Sequence, residues 1–410
     1  MGDNMRILLI NHYAGSVYHG MEFRPYYMAR EWVKRGNEVT ILAADFSHLR
    51  KKNPDIKTDF TEENIDGITY LWVKTPSYHG NGVGRALNIA AFYFKLKAHA
   101  KQIAQKYKPE AVIASSTYPF DSYVAKKIAD LSGGRFYFEI HDLWPLTQIE
   151  IYGLKTSNPY VRMLQKAEDF SFKNAKKVIS ILPHAYIHME ERGVSRDKFT
   201  YVPNGVIPAE IETNTNLCSQ AETLSKLRQE GYFIAAYTGN HASANALENF
   251  IGAAALLKDE KVKFVLVGSG NEKERLIKLA KEKSPDNVIF LDPVAKKDMG
   301  QLLSNVDAAY MGLSKCRLFH YGVSPNKLFD YMLAARPIIY AVDSSNNPVE
   351  EAQCGVSAPD GTPQSIAEAV RKLMSATEEE REEMGRRGRE YVLKNNDYAV
   401  LAEKFLDALR

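Results

Sequence analysis

Short apolar runs alternate with amphipathic segments along this chain, and the alternation begins twice. Residues 5–10 read as a buried strand, 11–20 as a glycine-containing loop and 22–35 as a helix with Gly36 in the stop position. The next strand is 38–42, and further runs fall at 111–115, 137–140, 178–182 and 199–202. Pro203-Asn204-Gly205 is a turn signal, and residues 208–230 read as polar and irregular. The pattern then restarts: strand 233–238, helix 244–257, strand 262–267, helix 272–283, then strands 288–291, 308–311 and 338–342. Strands that alternate with helices imply a parallel sheet covered on both faces. The expected architecture is therefore α/β, two doubly wound domains over 1–205 and 206–394, with a hinge near residue 205. Ligands of such sheets bind beyond the carboxyl ends of the strands, which places the expected site in a cleft between facing domains.

A chain of 410 residues with 45% hydrophobic content is long enough for two cores. The first apolar run, Ile7-Leu8-Leu9-Ile10, is too short for a signal sequence or a membrane span, and no later run approaches one. Cys218, Cys316 and Cys354 are scattered, which argues against a disulfide framework or a zinc site and for a reduced cytoplasm. The net charge of +3 hides an asymmetry: residues 1–207 hold 28 Lys/Arg against 21 Asp/Glu, and the remainder 25 against 29. A basic first half fits an anionic partner (membrane surface, lipid diphosphate or nucleic acid) or ordinary surface variation.

The stretch from His320 to Ile339 is the densest in chemistry. Ser324-Pro325-Asn326 leads into a helix, whose free N–H groups attract anions. Lys327 sits in the first turn, where a cation opposes the helix dipole unless a negative ligand offsets it. Asp330, three residues on, can accept two hydroxyl hydrogen bonds. Phosphate-reading amides, a cation and a diol-reading carboxylate suit a nucleotide sugar.

This stretch resembles the donor-site motif of retaining GT-B glycosyltransferases of family 4. It is most similar to bacterial members that build lipid-linked O-antigen or capsule precursors, and the resemblance covers nearly the whole chain. It implies a GT-B fold of two Rossmann-like domains, with a C-terminal helix at about 395–410 returning to the first. Asp330 takes the place of the family's ribose-binding acid. The family's other acid, separated from it by seven intervening residues, falls on Gly322, so sugar recognition passes to the backbone around Val323, Ser324, Pro325 and Asn326 or to other side chains. Gly239, Asn240 and His241 end a strand where a phosphate can approach backbone amides. His241 can donate to a phosphate or sugar hydroxyl, or be a solvated loop histidine. Relatives carry Arg and Lys where Asn240 and Asn245 stand, which leaves Lys327 most of the diphosphate charge, with Arg317 as a helper. Gly268 and Gly270 form a turn near the nucleobase, or simply a tight turn, and Asp292-Pro293-Val294 follows the next strand.

In the first domain, His141 and Asp142 end a strand side by side. Adjacent residues of an extended chain point opposite ways, so one of them faces the substrate. The resemblance gives His141 the donor sugar and Asp142 an orienting or basic role toward the acceptor; capping of the next segment is the structural alternative, and Trp144 reads as core or cleft lining. The loop with Gly15 and Gly20, followed by Arg24, is the expected acceptor side, unless Glu22 and Arg24 form a first-turn salt bridge. Residues 85–108 mix Phe92, Tyr93 and Phe94 with Lys95, Lys97, Lys101, Lys106 and Lys108. Such a helix lies in a membrane interface or packs on the sheet with its lysines in water. No nucleic-acid module, metalloprotease motif, P-loop or nucleophile elbow occurs.

The resemblance thus implies a retaining transferase that moves a hexose or N-acetylhexosamine derivative from a UDP sugar to a polyprenyl-diphosphate-linked acceptor in surface polysaccharide synthesis. Lys327, His141 and Asp142 are the expected catalytic residues, with no cofactor and no metal. The expected location is the cytoplasm, peripheral on the inner membrane face. A nucleotide-sugar epimerase of the same fold, or a non-catalytic sugar-nucleotide-binding subunit, are the alternatives.

Overall fold

Eight strands form the first sheet: β1 (Arg6–Ile10), β2 (Glu38–Ala44), β3 (Thr61–Ile65), β4 (Ile68–Val73), β5 (Ala111–Ala114), β6 (Arg135–Ile140), β7 (Val178–Ser180) and β8 (Phe199–Tyr201). Six form the second: β9 (Phe233–Thr238), β10 (Val262–Val267), β11 (Val288–Leu291), β12 (Ala308–Gly312), β13 (Ile338–Ala341) and β14 (Gly355–Ser357). The computed structural model describes residues 4–21, 23–80, 82–210, 218–284 and 286–410. The chain divides into two compact units, Met1–Asn204 with Tyr398–Arg410, and Gly205–Asp397.

The sheet orders are β3-β4-β2-β1-β5-β6-β7-β8 and β11-β10-β9-β12-β13-β14. Each therefore reverses direction beside its first strand, at β1/β5 and at β9/β12, and a doubly wound sheet binds ligands at such switch points. Strand β9 is buried along its whole length, and its residues alternate between two cores. Ile234 and Ala236 face one core with Leu328 and Met332; Phe233, Ala235 and Tyr237 face the other with Phe250 and Leu266.

Three local expectations are corrected. Residues 219–229, expected to be irregular, form the helix Ser219–Gln229, which buries Ala221 and Leu224; packing overrides a polar composition here. The helix expected at 244–257 is broken into a turn at Ser243–Asn245 and a helix at Leu247–Leu256, with Ala246 between them at φ 48°. The first sheet is not wholly parallel, because β3 pairs antiparallel with β4 across Asp66-Gly67. Asp66 and Gly67 have φ of 51° and 82°, the two positive angles of a tight hairpin turn, and Asp-Gly is the sequence signal for it.

The last helix, Tyr398–Leu409, belongs to the first unit. Its stripe Leu401, Phe405 and Leu409 is buried. Phe405 meets Trp32 at 5.0 Å between ring centroids, and Trp32 Nε1 donates to Ala402 O at 3.3 Å. Each such buried side chain contributes about 1.5–3 kcal/mol, which is enough to hold a terminal helix in place.

Candidate functional site

In the second unit, a cavity of about 430 Å³ opens at the β9/β12 switch point. Thr238 and Gly239 end β9, Met311 and Leu313 come from the end of β12, and Pro325, Asn326, Lys327 and Asp330 enter from the helix Asn326–Leu333. The structure thus gathers Gly239, Pro325, Asn326, Lys327 and Asp330 in one place. The register is held from below. Tyr331, on the buried side of that helix, accepts from Thr238 N at 2.9 Å and donates to Thr238 O at 3.2 Å.

Lys327 is largely buried. Its Nζ donates to Tyr237 OH at 2.9 Å and Asn245 Oδ1 at 2.7 Å, and lies 4.6 Å from the centroid of the Tyr237 ring. These partners are neutral, and among the described residues no carboxylate lies within 4.0 Å of it. Burial accordingly lowers its pKa to about 8. A buried cation surrounded by neutral acceptors is completed by an anion. Asp330 is pushed up to about 6 by burial, with Lys296 lowering and Glu210 raising it. Tyr237 and Asn245 are neutral partners of Lys327 that sequence reading did not pair with it; Asn245 was visible only as a missing charge.

The loops around the cavity differ from expectation. Gly239 N donates to Val267 O at 2.9 Å and His241 N to Ser269 O at 2.8 Å, so these two amides hold the loop and are not offered to a phosphate. A Cβ on Gly268 would lie 1.9 Å from Gly239 O, and one on Gly270 would lie 2.5 Å from Asn240 Oδ1. Both glycines therefore allow the β9 and β10 loops to touch. His241 is buried, not solvated, and both ring nitrogens lack a hydrogen-bond partner. Burial, then Lys273 and Lys327, lowers it to about 4, so it is neutral at pH 7. Val323 is not a free backbone contact: its N–H donates to Asn346 Oδ1 at 2.8 Å, and its C=O accepts from Asn346 Nδ2 at 3.0 Å. Ser324 beside it is buried and Asn326 is exposed. Gly322 has φ 93°, a conformation that disfavours the side chain the family places there.

In the first unit, the end of β6 carries a buried network. Glu139 Oε2 accepts from Ser115 Oγ at 2.6 Å, and Ser115 Oγ lies 3.0 Å from His141 Nε2. Because the Ser115 proton goes to Glu139, its lone pair faces Nε2–H, which fixes the tautomer of His141. Burial opposes ionisation of Glu139, but Arg24, His141 and Ser115 outweigh it and hold it at about 2. The neighbouring Asp142 has solvent-exposed surface, while burial of its carboxyl raises its pKa and the His141 imidazole acts to lower it.

Arg24 is a correction to the acceptor-side expectation. It is buried, and donates to Glu139 Oε1 at 3.0 Å, Pro203 O at 2.6 Å and Val202 O at 2.8 Å. It is a positioning residue for the Glu139–His141 network. Glu22, its expected partner, lies outside the described residues. Gly15 packs on its own loop, since a Cβ there would lie 1.8 Å from Met21 O, while Gly20 turns the loop at φ 75°.

Comparison with known proteins gives matches over both units. The Glycosyltransferase Family 4 model matches residues 18–210, and the Glycosyl transferases group 1 model matches residues 220–391. The probable glycosyltransferase WbjE of Pseudomonas aeruginosa is 22% identical over 99% of this chain and 98% of its own length. The putative colanic acid biosynthesis glycosyl transferase WcaI of Escherichia coli (strain K12) is 23% identical over 63% of this chain, and the match spans 65% of WcaI, just under two thirds of it. Among solved structures, Anabaena Alr3699/HepE in complex with UDP and glucose aligns over 99% of both chains with a TM-score of 0.65 at 15% identity.

Proposed function

We propose, from the premise that this chain is a glycosyltransferase of the GT-B fold, that it transfers a sugar from a UDP sugar to a lipid-linked acceptor with retention of configuration. The observation that carries the donor half is the switch-point cavity with Lys327 among neutral partners and Asp330 on the same helix. Lys327 meets the diphosphate and Asp330 accepts the ribose hydroxyls. The UDP bound by HepE and the colanic acid pathway of WcaI support the choice of nucleotide and of polysaccharide synthesis.

In the proposed step, the bond from the anomeric carbon to the β-phosphate oxygen breaks. A bond to the acceptor oxygen forms on the same face, and the acceptor proton passes to the departing phosphate. The protein's contribution is electrostatic: Lys327 stabilises the charge that develops on the diphosphate. His141, with its Nε2 proton held by Ser115, is oriented for the transferred sugar, and Asp142 is exposed for the acceptor. No metal is assigned a role. The acceptor is a polyprenyl-diphosphate-linked sugar, and the enzyme docks on the inner membrane face; no helix among the described residues is long and apolar enough to cross a membrane.

The test is thermal denaturation against a panel of nucleotide sugars, with and without EDTA. Ligand at a hundredfold excess over Kd adds about 2.7 kcal/mol, so one UDP sugar should raise the midpoint by several degrees whether or not EDTA is present. Absence of a shift with every nucleotide sugar overturns the donor site. Consumption of the donor without any acceptor would identify an epimerase instead.

A further inference from the structure

The first unit carries a second cavity, of about 740 Å³, that the donor chemistry does not use. One wall is Ala86, Ile89 and Ala90 of the helix Val83–Tyr107; the other includes Tyr123, Trp144 and Met163. The cavity is a largely apolar groove with one charged group, Arg85, in its lining. Its Nε donates to Tyr13 OH at 3.1 Å, and its guanidinium lies 5.3 Å from the Tyr13 ring centroid. Tyr13 follows β1, and Trp144 follows His141 by three residues after β6. Part of the groove's lining therefore lies beside the carboxyl ends of the first sheet, where a ligand of a doubly wound fold sits.

The groove is continuous with an exposed apolar face, since Val83 and Phe94 belong to both. Val83, Leu87 and Phe94 lie on one face of the helix and are 77%, 58% and 62% exposed. Lys97 and Lys101 continue that face at the same helical spacing, and both are exposed. The helix Val83–Tyr107 contains Arg85, Lys95, Lys97, Lys101 and Lys106 and no Asp or Glu. Lys95 and Lys106 are taken by Asp59 at 2.8 Å and Glu62 at 2.5 Å. Lys97 and Lys101 remain beside the apolar residues. An apolar stripe that ends in lysines fits an anionic bilayer surface.

We infer that this groove receives the hydrocarbon chain of the acceptor lipid, drawn from an anionic membrane on which the Val83–Phe94 face rests, with its phosphate end beside Arg85. This deepens the proposed function and rests on its lipid-linked acceptor. Binding forms and breaks no covalent bond.

Trp144 is a built-in reporter, because Trp32 and Trp72 are fully buried while Trp144 lines the groove. The probe is a long-chain alkyl phosphate with bromine atoms near the chain end, with inorganic phosphate as the headgroup control. The brominated chain should quench tryptophan emission in the native protein but not in Trp144→Phe, and inorganic phosphate should not quench. Ala90→Phe, which fills the groove, should weaken the probe about tenfold or more. Met163→Glu, a change at a half-exposed rim residue, should do the same without touching the core. An unchanged near-ultraviolet circular dichroism spectrum and denaturation midpoint of the first unit show that these variants are folded.

No quenching, quenching that persists in both groove variants, or a dimer that these variants dissociate would overturn the inference. Transfer to a long-chain acceptor at the native rate in both variants would overturn it too, while leaving the acceptor reading intact. Quenching as expected with no transfer to any lipid-linked acceptor would defeat the acceptor reading and keep the groove as a lipid site.

Discussion

Replacing Lys327 with methionine should make the empty protein more stable and the enzyme much worse. The ammonium is held by Tyr237 and Asn245, and its pKa falls from 10.5 to about 8 through burial. That fall corresponds to about 3 kcal/mol against the charged form. The sign follows from proton binding: between the folded value and the unfolded value near 10.4, the unfolded chain holds the proton more tightly. Stability of the empty protein therefore rises with pH through about 8 to 10, and the full cost applies below 8. Methionine removes the charge but leaves Asn245 Oδ1 without its donor, a loss of about 1–2 kcal/mol. The net expectation at pH 7 is a gain of about 1–2 kcal/mol, seen as a higher denaturation midpoint. The same variant should lose about 2–4 kcal/mol of transition-state stabilisation, as for loss of one oxyanion donor. That is a fall in kcat/KM of about thirtyfold to a thousandfold. The UDP-induced thermal shift should shrink with it. A variant that is less stable when empty yet turns over at the native rate would refute the argument, because Lys327 would then be a structural cation.

Asp330→Asn should weaken UDP binding about tenfold by replacing one hydroxyl acceptor with an amide. In the native protein, binding should strengthen about tenfold from pH 5 to 7 as the carboxyl, at about 6, ionises. The empty protein should move oppositely, losing stability between about pH 4 and 6, because its folded value lies above the unfolded 3.9. Calorimetric titration at both pH values checks this, and a pH dependence that survives in Asp330→Asn would count against it. Glu139→Gln leaves the buried Arg24 charge without its counter-ion, and should cost about 3–5 kcal/mol and lower the melting midpoint of the first unit. With Glu139 at about 2, its native contribution is complete above pH 4.3 and is lost as the pH falls toward 2. Retention of full thermal stability by the variant would show that neutral acceptors satisfy Arg24 without a counter-ion.

Much of the donor site was legible because it is local. Ser324, Pro325, Asn326, Lys327 and Asp330 lie within seven residues, and a helix carries Lys327 and Asp330 to one face by its own periodicity. The helix Ser219–Gln229 was missed because Ala221 and Leu224 are its only buried residues, a faint signal among polar neighbours. Arg24 was misread for the opposite reason. A basic residue after a glycine loop looks like a ligand group until Glu139, 115 positions away, is seen against it. The same distance in sequence hid the pairing of Lys327 with Asn245, 82 positions apart, and of Val323 with Asn346.

What the sequence by itself determined was everything written in short-range periodicity: the alternation of strands and helices, its restart near residue 205, the returning stripe of Leu401, Phe405 and Leu409, and the chemistry of one helix start. What only the tertiary structure decided was which polar groups remain available once the chain is packed. Hydrogen bonds and ion pairs form between residues a hundred positions apart, and each one that forms removes a candidate from the site. Burial does the rest, since it makes Lys327 a cation in need of an anion and keeps His241 neutral. It also leaves an apolar groove open beside Arg85, which no periodicity in the chain announces.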